Sequence, residues 1–464
     1  MKTVIVNPLT RISGAMEIEV YIENNVVVDA KTEGLLFRGF EKMLPGRAPL
    51  DAIFFTERIC GICSTAHSIA SSMALEDAFG IAPSEQGRYL RDILHGCEFL
   101  QNHIRHFYQY TVPDFVKLPS VSSLYDSNHN DFRLPQPSND LLAKHYFDSL
   151  NISRNAHEML AILGGKAPHN HGVFVGGISG EATADKIIAM KSILSTIGSF
   201  IDVCMIPDVY TIAEYYSEYY HIGRGYGNLL SYGCFNHYEQ LPTLYLDAMV
   251  YMDNTFLPFI PDGIVEKVDH AWFRNTIVEP QLQDDMNKEQ AYSWVKAPRY
   301  YGLPCEVGPL ARQWLAGEYT NGISTLDRTI ARVLEAKKIT AILGVLLDNL
   351  KPGVDTQGVY QIPDQASGRG LVDTTRGALG HWVEISAKLI SSYNIITPST
   401  WNLSTKTYDN QLGTAEKALI GTIVNDTENP VELGRIIRSF DPCVSCATHV
   451  YSCGRPPITM RVIS

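Results

Sequence analysis

Two short segments decide the interpretation of this chain: RICGICSTAH at residues 58–67 and DPCVSCATH at residues 441–449. Each segment contains two cysteines separated by two residues, followed shortly by a histidine. This spacing lets two sulfur atoms face one metal ion, and two such pairs supply four thiolates. One pair alone is weak evidence, because a redox-active dithiol has the same spacing. Two pairs with matching histidines therefore predict a four-thiolate metal site.

A structural zinc site has the same number of ligands and is the simplest alternative. The cysteine pairs of a zinc module usually lie within a few tens of residues of each other, whereas Cys63 and Cys443 are 380 residues apart. Arg58 and Asp441 also place charge beside the sulfurs, which suits a reactive centre more than an inert one. From spacing alone, both interpretations stay open.

The composition is that of a large globular protein. Of the 464 residues, 45% are apolar and 19% are charged, which excludes a disordered or collagen-like chain. The net charge of −12 makes nucleic acid and anionic membrane surfaces poor partners. We expect no membrane-spanning helix and see no secretory signal at the amino terminus. Export would therefore depend on a signal carried by a partner subunit.

Hydrophobic periodicity predicts a mixed fold. Residues 16–31 alternate apolar and polar side chains around a turn, which is typical of a β-hairpin with one buried face. Short strands are expected within residues 371–400. With neither a repeat nor a linker, the pattern predicts a single compact α+β unit with a large, mainly helical core and small peripheral sheets. Helical spacing predicts helices at residues 64–79, 87–110, 139–163, 183–203, 324–350 and about 413–422.

The two cysteine segments resemble the signatures of the large, catalytic subunit of the nickel–iron hydrogenases. Both signatures, Arg-x-Cys-Gly-x-Cys-x-x-x-His and Asp-Pro-Cys-x-x-Cys-x-x-His, are complete. The resemblance covers nearly the whole chain, and it implies an oxidoreductase that cleaves H₂ reversibly and heterolytically. Further matches lie at residues 37–41, 376–382 and 398–402.

The resemblance implies a nickel–iron centre at the four cysteines. Cys60 and Cys443 would be terminal thiolates on nickel. Cys63 and Cys446 would bridge nickel to an iron that carries carbon monoxide and cyanide, and soft thiolates suit both metals. His67 would form a hydrogen bond to a bridging sulfur and so tune it.

The resemblance also implies roles for residues around that centre. Arg376 would overhang the open metal position, with Asp441 as its charge partner, and the proton acceptor would be Cys443 or the Arg376 guanidine. A separate Mg²⁺ or Fe²⁺ would be held by three further groups. These are the Glu41 carboxylate, the Ile395 carbonyl and His449.

The implied partners follow from the chemistry of the reaction. Electrons must leave through an iron–sulfur small subunit, because this chain has no further cysteine clustering of the iron–sulfur type. Maturation in the family uses nickel-insertion proteins and an endopeptidase that cuts after the metal-ligand histidine. We therefore expect residues 450–464 to be removed after His449, leaving a catalytic domain at residues 1–449.

The sequence departs from the family pattern at three positions. Ser13 replaces a glutamate that is thought to carry protons in many relatives, Asn102 replaces an aspartate, and Thr375 replaces a proline. A hydroxyl can pass a proton but cannot store one near pH 7. Glu17 and Glu19 are the nearby alternatives, unless strand alternation turns them to solvent.

Two other functions remain alternatives at this point. A hydrogen-sensing regulatory protein would share the fold, although residues 450–464 argue against it. A zinc-stapled scaffold would bind zinc and need no partner. Residues 308–312 and 401–402 favour an uptake enzyme, membrane-associated or exported through its partner subunit, over a cytoplasmic one.

Overall fold

The structure is a computed structural model that describes residues 2–119, 129–275 and 283–447. The strands are β1 Lys2–Val6, β2 Met16–Glu23, β3 Val26–Gly34, β4 Val173–Phe174, β5 Gly177–Ile178, β6 Leu229–Ser231, β7 Met249–Met252, β8 Thr255–Pro258, β9 Ile264–Lys267, β10 Ala297–Tyr300, β11 Gln365–Thr374, β12 Gly377–Ser386 and β13 Leu389–Ile396. The α-helices are α1 Phe40–Met43, α2 Asp51–Glu57, α3 Ser64–Phe79, α4 Glu85–Arg105, α5 Gln136–Gly164, α6 Ala184–Phe200, α7 Ile206–Tyr215, α8 Pro309–Leu315, α9 Thr325–Asp348, α10 Pro398–Asn402, α11 Thr414–Leu419, α12 Val431–Ser439 and α13 Val444–Ala447.

Helix α4 lies in the main core and packs against both α5 and α9. Its N-cap is Ser84, whose Oγ accepts a hydrogen bond from the backbone N–H of Gly87, as N-cap side chains commonly do. The sequence predicted one helix over residues 87–110, but the α-helical part ends at Arg105. A wider π-helical turn follows over His106–Thr111, and wide turns of this kind are frequent at functional sites.

The amino-terminal sheet confirms the predicted hairpin. Strands β1, β2 and β3 pair antiparallel in chain order. Ile18 and Val20 of β2 are fully buried in a second apolar cluster, together with residues of α11 and α12. Glu17 and Glu19 alternate with them and therefore lie on the opposite, half-buried face.

A three-stranded meander of β11, β12 and β13 forms the sheet beneath α3. Its strands are longer than predicted and begin before residue 371. Two glycines of β11 allow the helix to approach closely. A Cβ on Gly370 would lie 2.0 Å from the Ala70 carbonyl oxygen, and one on Gly368 would lie 2.3 Å from that of Ala74. The helix that follows the first cysteine pair is thereby fixed against the sheet whose β11–β12 turn carries Arg376.

We expected no apolar segment long enough to span a membrane, but by length and composition one helical segment meets that description. Ala184–Tyr215 contains an 18-residue window with a mean hydropathy of 1.6, of which 22% is buried. The mean hydropathy is high because the small residues that lie between the apolar ones are nearly neutral and lower it very little. Two charged side chains of the segment pair with charges that lie on α9: Lys191 is 2.5 Å from Asp348, and Asp202 is 2.7 Å from Lys337.

Candidate functional site

The first cysteine pair lies in the loop between α2 and α3. Cys60 and Cys63 are buried in the main core. Cys63 is the N-cap of α3 and makes no side-chain capping bond. Glu98 of α4 supplies the acceptors instead, since its carboxylate lies 2.7 Å from the backbone nitrogen of Thr65 and 3.1 Å from that of Ala66. Burial raises the pKa of the Glu98 carboxyl group to about 8, but side-chain oxygens that accept from the first N–H groups of a helix stabilise it, so Glu98 anchors this loop.

The second pair is held mainly by backbone contacts. Cys443 is fully buried, and its N–H donates to Ser399 Oγ at 2.9 Å. Ser13 lies alongside it: the Ser13 N–H donates to the Pro442 carbonyl at 3.2 Å, and its carbonyl accepts from Val444 N–H at 2.7 Å. The amino-terminal segment thus forms a parallel bridge with the carboxyl-terminal motif. Ser13 therefore positions Cys443 through its backbone.

Three of the four predicted thiolates come together. The sulfur atoms of Cys60, Cys63 and Cys443 lie within 4.8 Å of one another, and those of Cys60 and Cys443 are 3.3 Å apart. Cys446 lies in α13, but its side chain, like the whole of His449, is outside the described part of the chain. A buried cluster of soft sulfur donors suits nickel and iron.

Arg376 lies in the turn between β11 and β12 and is buried beside the thiols. Its Nε donates to the Asp441 carbonyl at 2.9 Å, and its Nη2 is 3.0 Å from Asp441 Oδ1. Burial alone would raise the pKa of Asp441, but the positive charges of Arg376 and Arg332 and the hydrogen bond from Asn102 together outweigh it, so the pKa is lowered and the carboxylate stays ionised. The predicted charge pair is therefore formed.

Asn102 links the two members of this charge pair. Its Nδ2 donates to Asp441 Oδ2 at 2.7 Å, and its Oδ1 accepts from Arg376 Nη2 at 2.9 Å. A neutral amide can serve both neighbours at once, because it has a donor and an acceptor end. Asp441 therefore supplies the carboxylate that partners Arg376, and the Asn102 amide bridges the two. Thr375 lies beside Arg376 in the same two-residue turn.

A small pocket of about 10 Å³, enough for about one water-sized molecule, adjoins the thiols. Arg376 lines it, and the Nη1 of that side chain has no hydrogen-bond partner among the described residues. His67 also lines it and is buried, which lowers the pKa of its imidazole to about 4 and keeps the ring neutral at pH 7. Cys63, Cys443 and Ser399 complete the wall nearest the sulfurs.

Two of the three residues expected to hold a separate cation, Glu41 and Ile395, are in contact. Glu41 Oε1 accepts from the Ile395 N–H at 2.9 Å and lies 3.2 Å from Lys296 Nζ. Lys296 also contacts Glu266 at 2.8 Å. The Oε1 of Glu266 is buried without a partner among the residues that the structure describes. Burial raises the pKa of Glu266, while Lys296 opposes that shift.

Sequence reasoning missed four residues that hold the site together. Ser399 and His381 fall within segments that match the family. A motif match does not show, however, that Ser399 accepts from the Cys443 N–H or that His381 contacts the His67 ring. Glu98 and Lys296 carry no local signal at all. Only the tertiary structure shows that Glu98 contacts the first cysteine loop and that Lys296 contacts Glu41.

Comparison with known proteins agrees with this geometry. The family described as "Nickel-dependent hydrogenase" matches residues 38–127, 122–322 and 315–449. The periplasmic [NiFeSe] hydrogenase large subunit of Desulfomicrobium baculatum is 36% identical over 96% of this chain and 94% of its own length. The Hydrogenase-1 large chain of Escherichia coli K12 is 30% identical over 97% of this chain and 95% of its own.

Solved structures show the same fold. The reduced Ni-Fe-Se hydrogenase of Desulfovibrio vulgaris Hildenborough superposes with a TM-score of 0.93 at 35% identity, covering 97% of this chain and 100% of that one. The predicted single unit with a helical core and small sheets is therefore confirmed. A zinc-stapled scaffold does not account for this likeness along the whole chain. The chain belongs to the nickel-dependent hydrogenase family, as a large, catalytic subunit with hydrogenase activity.

Proposed function

We propose that Cys60, Cys63, Cys443 and Cys446 hold a nickel–iron centre whose iron carries carbon monoxide and cyanide, and that H₂ is cleaved there. The observation that carries this proposal is the convergence of three buried thiols from the two ends of the chain. The residues present fit such a group. The sulfurs are soft donors, and two of them line a pocket together with Arg376 and His67.

The unpartnered Nη1 of Arg376 provides a donor on the wall of that pocket. A guanidinium is protonated at all physiological pH values, and Asp441 and Asn102 hold two of its three nitrogens. Arg376 therefore acts as a fixed positive charge rather than as a base. This favours the Cys443 sulfur as the group that receives the proton.

The centre, when bound, supplies Lewis acidity toward H₂ and takes up its two electrons. The chain supplies the surroundings. Cys443 and Arg376 are at most 2% exposed, so water is excluded and the electrostatic contacts inside are strengthened. Asp441 orients Arg376 and balances its charge, and His67 of α3 lines the same pocket as Cys63 and Cys443.

A second cation, Mg²⁺ or Fe²⁺, is proposed at Glu41, the Ile395 carbonyl and His449. The buried Glu266 oxygen without a partner supports this, because a carboxylate in that position needs a further donor such as a metal-bound water. Hard carboxylate and carbonyl oxygens are the ligands that Mg²⁺ prefers.

We further propose an iron–sulfur small subunit as the electron acceptor of this chain. Among the described residues, the thiols of the active site form the one group suited to bind a metal cluster. The loop between Cys60 and Cys63 reaches the surface at Gly61, which is exposed. An exposed loop between two of the proposed ligands supports a partner that takes electrons at this face.

Removal of residues 450–464 by an endopeptidase, after nickel insertion, is proposed as the last step of maturation. The segment lies outside the described residues. The family match ends at His449, immediately before it, and this supports a mature chain that ends there. Mass spectrometry of the purified protein tests the cut.

The metal proposal is tested by comparing Cys443→Ser with Cys305→Ser in the chain purified with its partner. Cys305 is equally buried, in a different apolar cluster, and is the matched control. Cys443→Ser is expected to lose nickel and H₂-dependent dye reduction, while Cys305→Ser keeps both. Full nickel content in Cys443→Ser would contradict the assigned ligand set.

A further inference from the structure

A buried arginine on α8, Arg312, contacts the turn that carries Arg376. Its Nη1 donates to the Thr374 carbonyl at 2.8 Å, and its Nη2 donates to the Thr375 carbonyl at 3.4 Å. These are the two residues that precede Arg376 in the chain. The arginine and both threonines are buried. The backbone of the turn is thereby tied to α8.

Two carboxylates accept the remaining hydrogen bonds of Arg312. Its Nε and its Nη2 each lie 2.7 Å from an oxygen of Glu335 on α9. Its Nη1 also donates to Asp373 Oδ2 at 3.0 Å. A guanidinium has five N–H donors in a fixed planar arrangement, and five acceptor contacts surround this one. The side chain therefore cannot rotate or shift without losing a hydrogen bond.

Glu335 is held in turn by two further donors. His103 Nε2 lies 2.7 Å from its Oε2, and Tyr245 Oη donates to its Oε1 at 2.6 Å. Burial alone would raise the pKa of Glu335, but the charge of Arg312 and the hydrogen bonds from Arg312 and His103 outweigh burial and lower it. An ionised carboxylate only accepts hydrogen bonds, so Glu335 can serve all of these donors at once.

The helices that contact Glu335 also hold Arg376 at two other points. His103 follows Asn102 in α4, and Asn102 Oδ1 accepts from Arg376 Nη2. The N-cap of α8 is Gly308, where a Cβ would lie 2.9 Å from the Arg376 carbonyl oxygen. Both the side chain and the backbone of Arg376 are thus held by elements that meet at Glu335.

The turn itself contains little that would fix its shape. It consists of two residues, Thr375 and Arg376, between the ends of β11 and β12. The Arg376 N–H donates to Thr374 Oγ1 at 3.4 Å, which is long for a hydrogen bond. Neither turn residue is a proline, which would restrict a backbone dihedral. Contacts from outside the turn must therefore supply the precise placement that an active-site side chain needs.

We propose that Arg312 and Glu335 are positioning residues, which hold the turn so that Arg376 stays on the wall of the pocket beside the thiols. Both act through Arg376, because Arg312 contacts the backbone of the turn and Glu335 contacts Arg312. The effect on H₂ oxidation rests on the function proposed above. The rigidity of the turn does not, so the two can fail separately.

Hydrogen exchange, measured by mass spectrometry on the full-length metal-free chain, tests the rigidity of the turn. We expect peptides that cover residues 371–380 to exchange faster in Arg312→Lys than in the wild type. Lysine cannot contact Glu335, Asp373 and two backbone carbonyls together. Unchanged exchange of these peptides in Arg312→Lys would overturn the proposal.

Arg91→Lys is the matched control. Arg91 is also buried, contacts both carboxylate oxygens of Glu76 and donates to two backbone carbonyls. Those carbonyls belong to Phe174 and Gly177 of the β4–β5 hairpin instead of to the Arg376 turn. Arg91→Lys should therefore leave exchange at residues 371–380 unchanged, and faster exchange there would overturn the assignment of this role to Arg312.

Double variants of the mature complex test whether Arg312 acts through Arg376. Arg312→Lys alone should lower the rate of H₂ oxidation per nickel by about 10–10²-fold, as a displacement of about 1 Å does in active sites. In the Arg376→Lys background the same change should have little further effect, since no guanidinium is left to position. Losses that multiply in the double variant, or a full rate in Arg312→Lys, would overturn the proposal.

Should Arg312→Lys fail to fold, Tyr245→Phe replaces it in both experiments. This change removes one of the four donors to Glu335, so we expect a smaller loss of rate that again disappears in the Arg376→Lys background. An unchanged rate in Tyr245→Phe would then overturn the proposal. A wild type that does not oxidise H₂ would instead defeat the proposed function and leave the exchange result standing.

Discussion

The two cysteine motifs meet at one point, but packing contributes more to holding the first and polar contacts contribute more to holding the second. The first lies between two helices in the main core, and α3 is packed against the glycines of β11. The second follows α12 and is fixed by polar contacts from Ser13, Ser399 and Arg376. Packing spreads its stabilisation over many atoms, whereas a few hydrogen bonds concentrate it. The carboxyl-terminal motif should therefore be the more sensitive to single polar substitutions.

Helix α12, which precedes the second motif, is also held by polar contacts. Arg438 of α12 contacts both carboxylate oxygens of Asp114 at 2.9 Å, and its Nε donates to the Thr10 carbonyl. Arg11 contacts the same carboxylate at 2.5 Å. Buried charges are thus used to tie the two chain ends together, and removing one partner of a buried pair leaves the other uncompensated.

The largest expected effect is that of Arg376→Lys. Lysine lacks the forked guanidinium and cannot contact Asp441 and Asn102 together. We expect H₂ oxidation to fall by about 10²–10³-fold, as for other lost electrostatic donors in active sites, with nickel content unchanged. The exposed Arg369 on β11, the strand that leads into this turn, gives the control, and Arg369→Lys should retain full activity. Loss of nickel from Arg376→Lys would mean that this residue mainly holds the second motif in place.

Asp114→Asn tests the charged tie between the chain ends. Burial opposes ionisation of Asp114, but Arg11 and Arg438 outweigh it and lower the pKa from 3.8 to about 2. The carboxylate therefore stabilises the fold fully above about pH 4, and this is lost as the pH falls through about 2. We expect the free energy of unfolding to drop by about 2 kcal/mol at pH 7.

Denaturant titrations of wild type and Asp114→Asn at several pH values check this prediction. The difference between the two proteins should shrink as the solution is acidified. A difference that is constant from pH 7 to the acid limit would show that shape, not charge, explains the loss.

Ser399→Ala should weaken the second motif alone. It leaves the buried N–H of Cys443 without its acceptor, at a cost of about 1–3 kcal/mol. Nickel content after purification should fall, and Ser399→Thr, which keeps the hydroxyl, should restore part of it. Equal nickel in all three proteins would remove the basis for calling the second motif the more sensitive one.

Glu98→Gln provides the corresponding change at the first motif and the smallest expected effect. An amide oxygen still accepts one of the two N–H groups of α3, so we expect a loss of about 1 kcal/mol in the free energy of unfolding and no loss of nickel. Thermal unfolding and metal analysis measure the two quantities. Nickel loss as large as in Ser399→Ala would show that both motifs depend equally on single hydrogen bonds.

The cysteine cluster and the long helices could be predicted from the sequence because their signals are local. The partners of those motifs are not local: Glu98 and Ser399 reach the cysteine loops only through tertiary packing. The alanines of α3 and the glycines of β11 are each unremarkable until they face each other. The apolar segment at Ala184–Tyr215 was missed because small residues break up its apolar runs, although its mean hydropathy stays high.

The proposed metal centre is best tested by an infrared spectrum of the mature chain, purified with its small subunit and recorded with and without H₂. We expect sharp carbon monoxide and cyanide bands that shift when H₂ is added. A spectrum without these bands, in a sample that contains zinc in a one-to-one ratio, would contradict it.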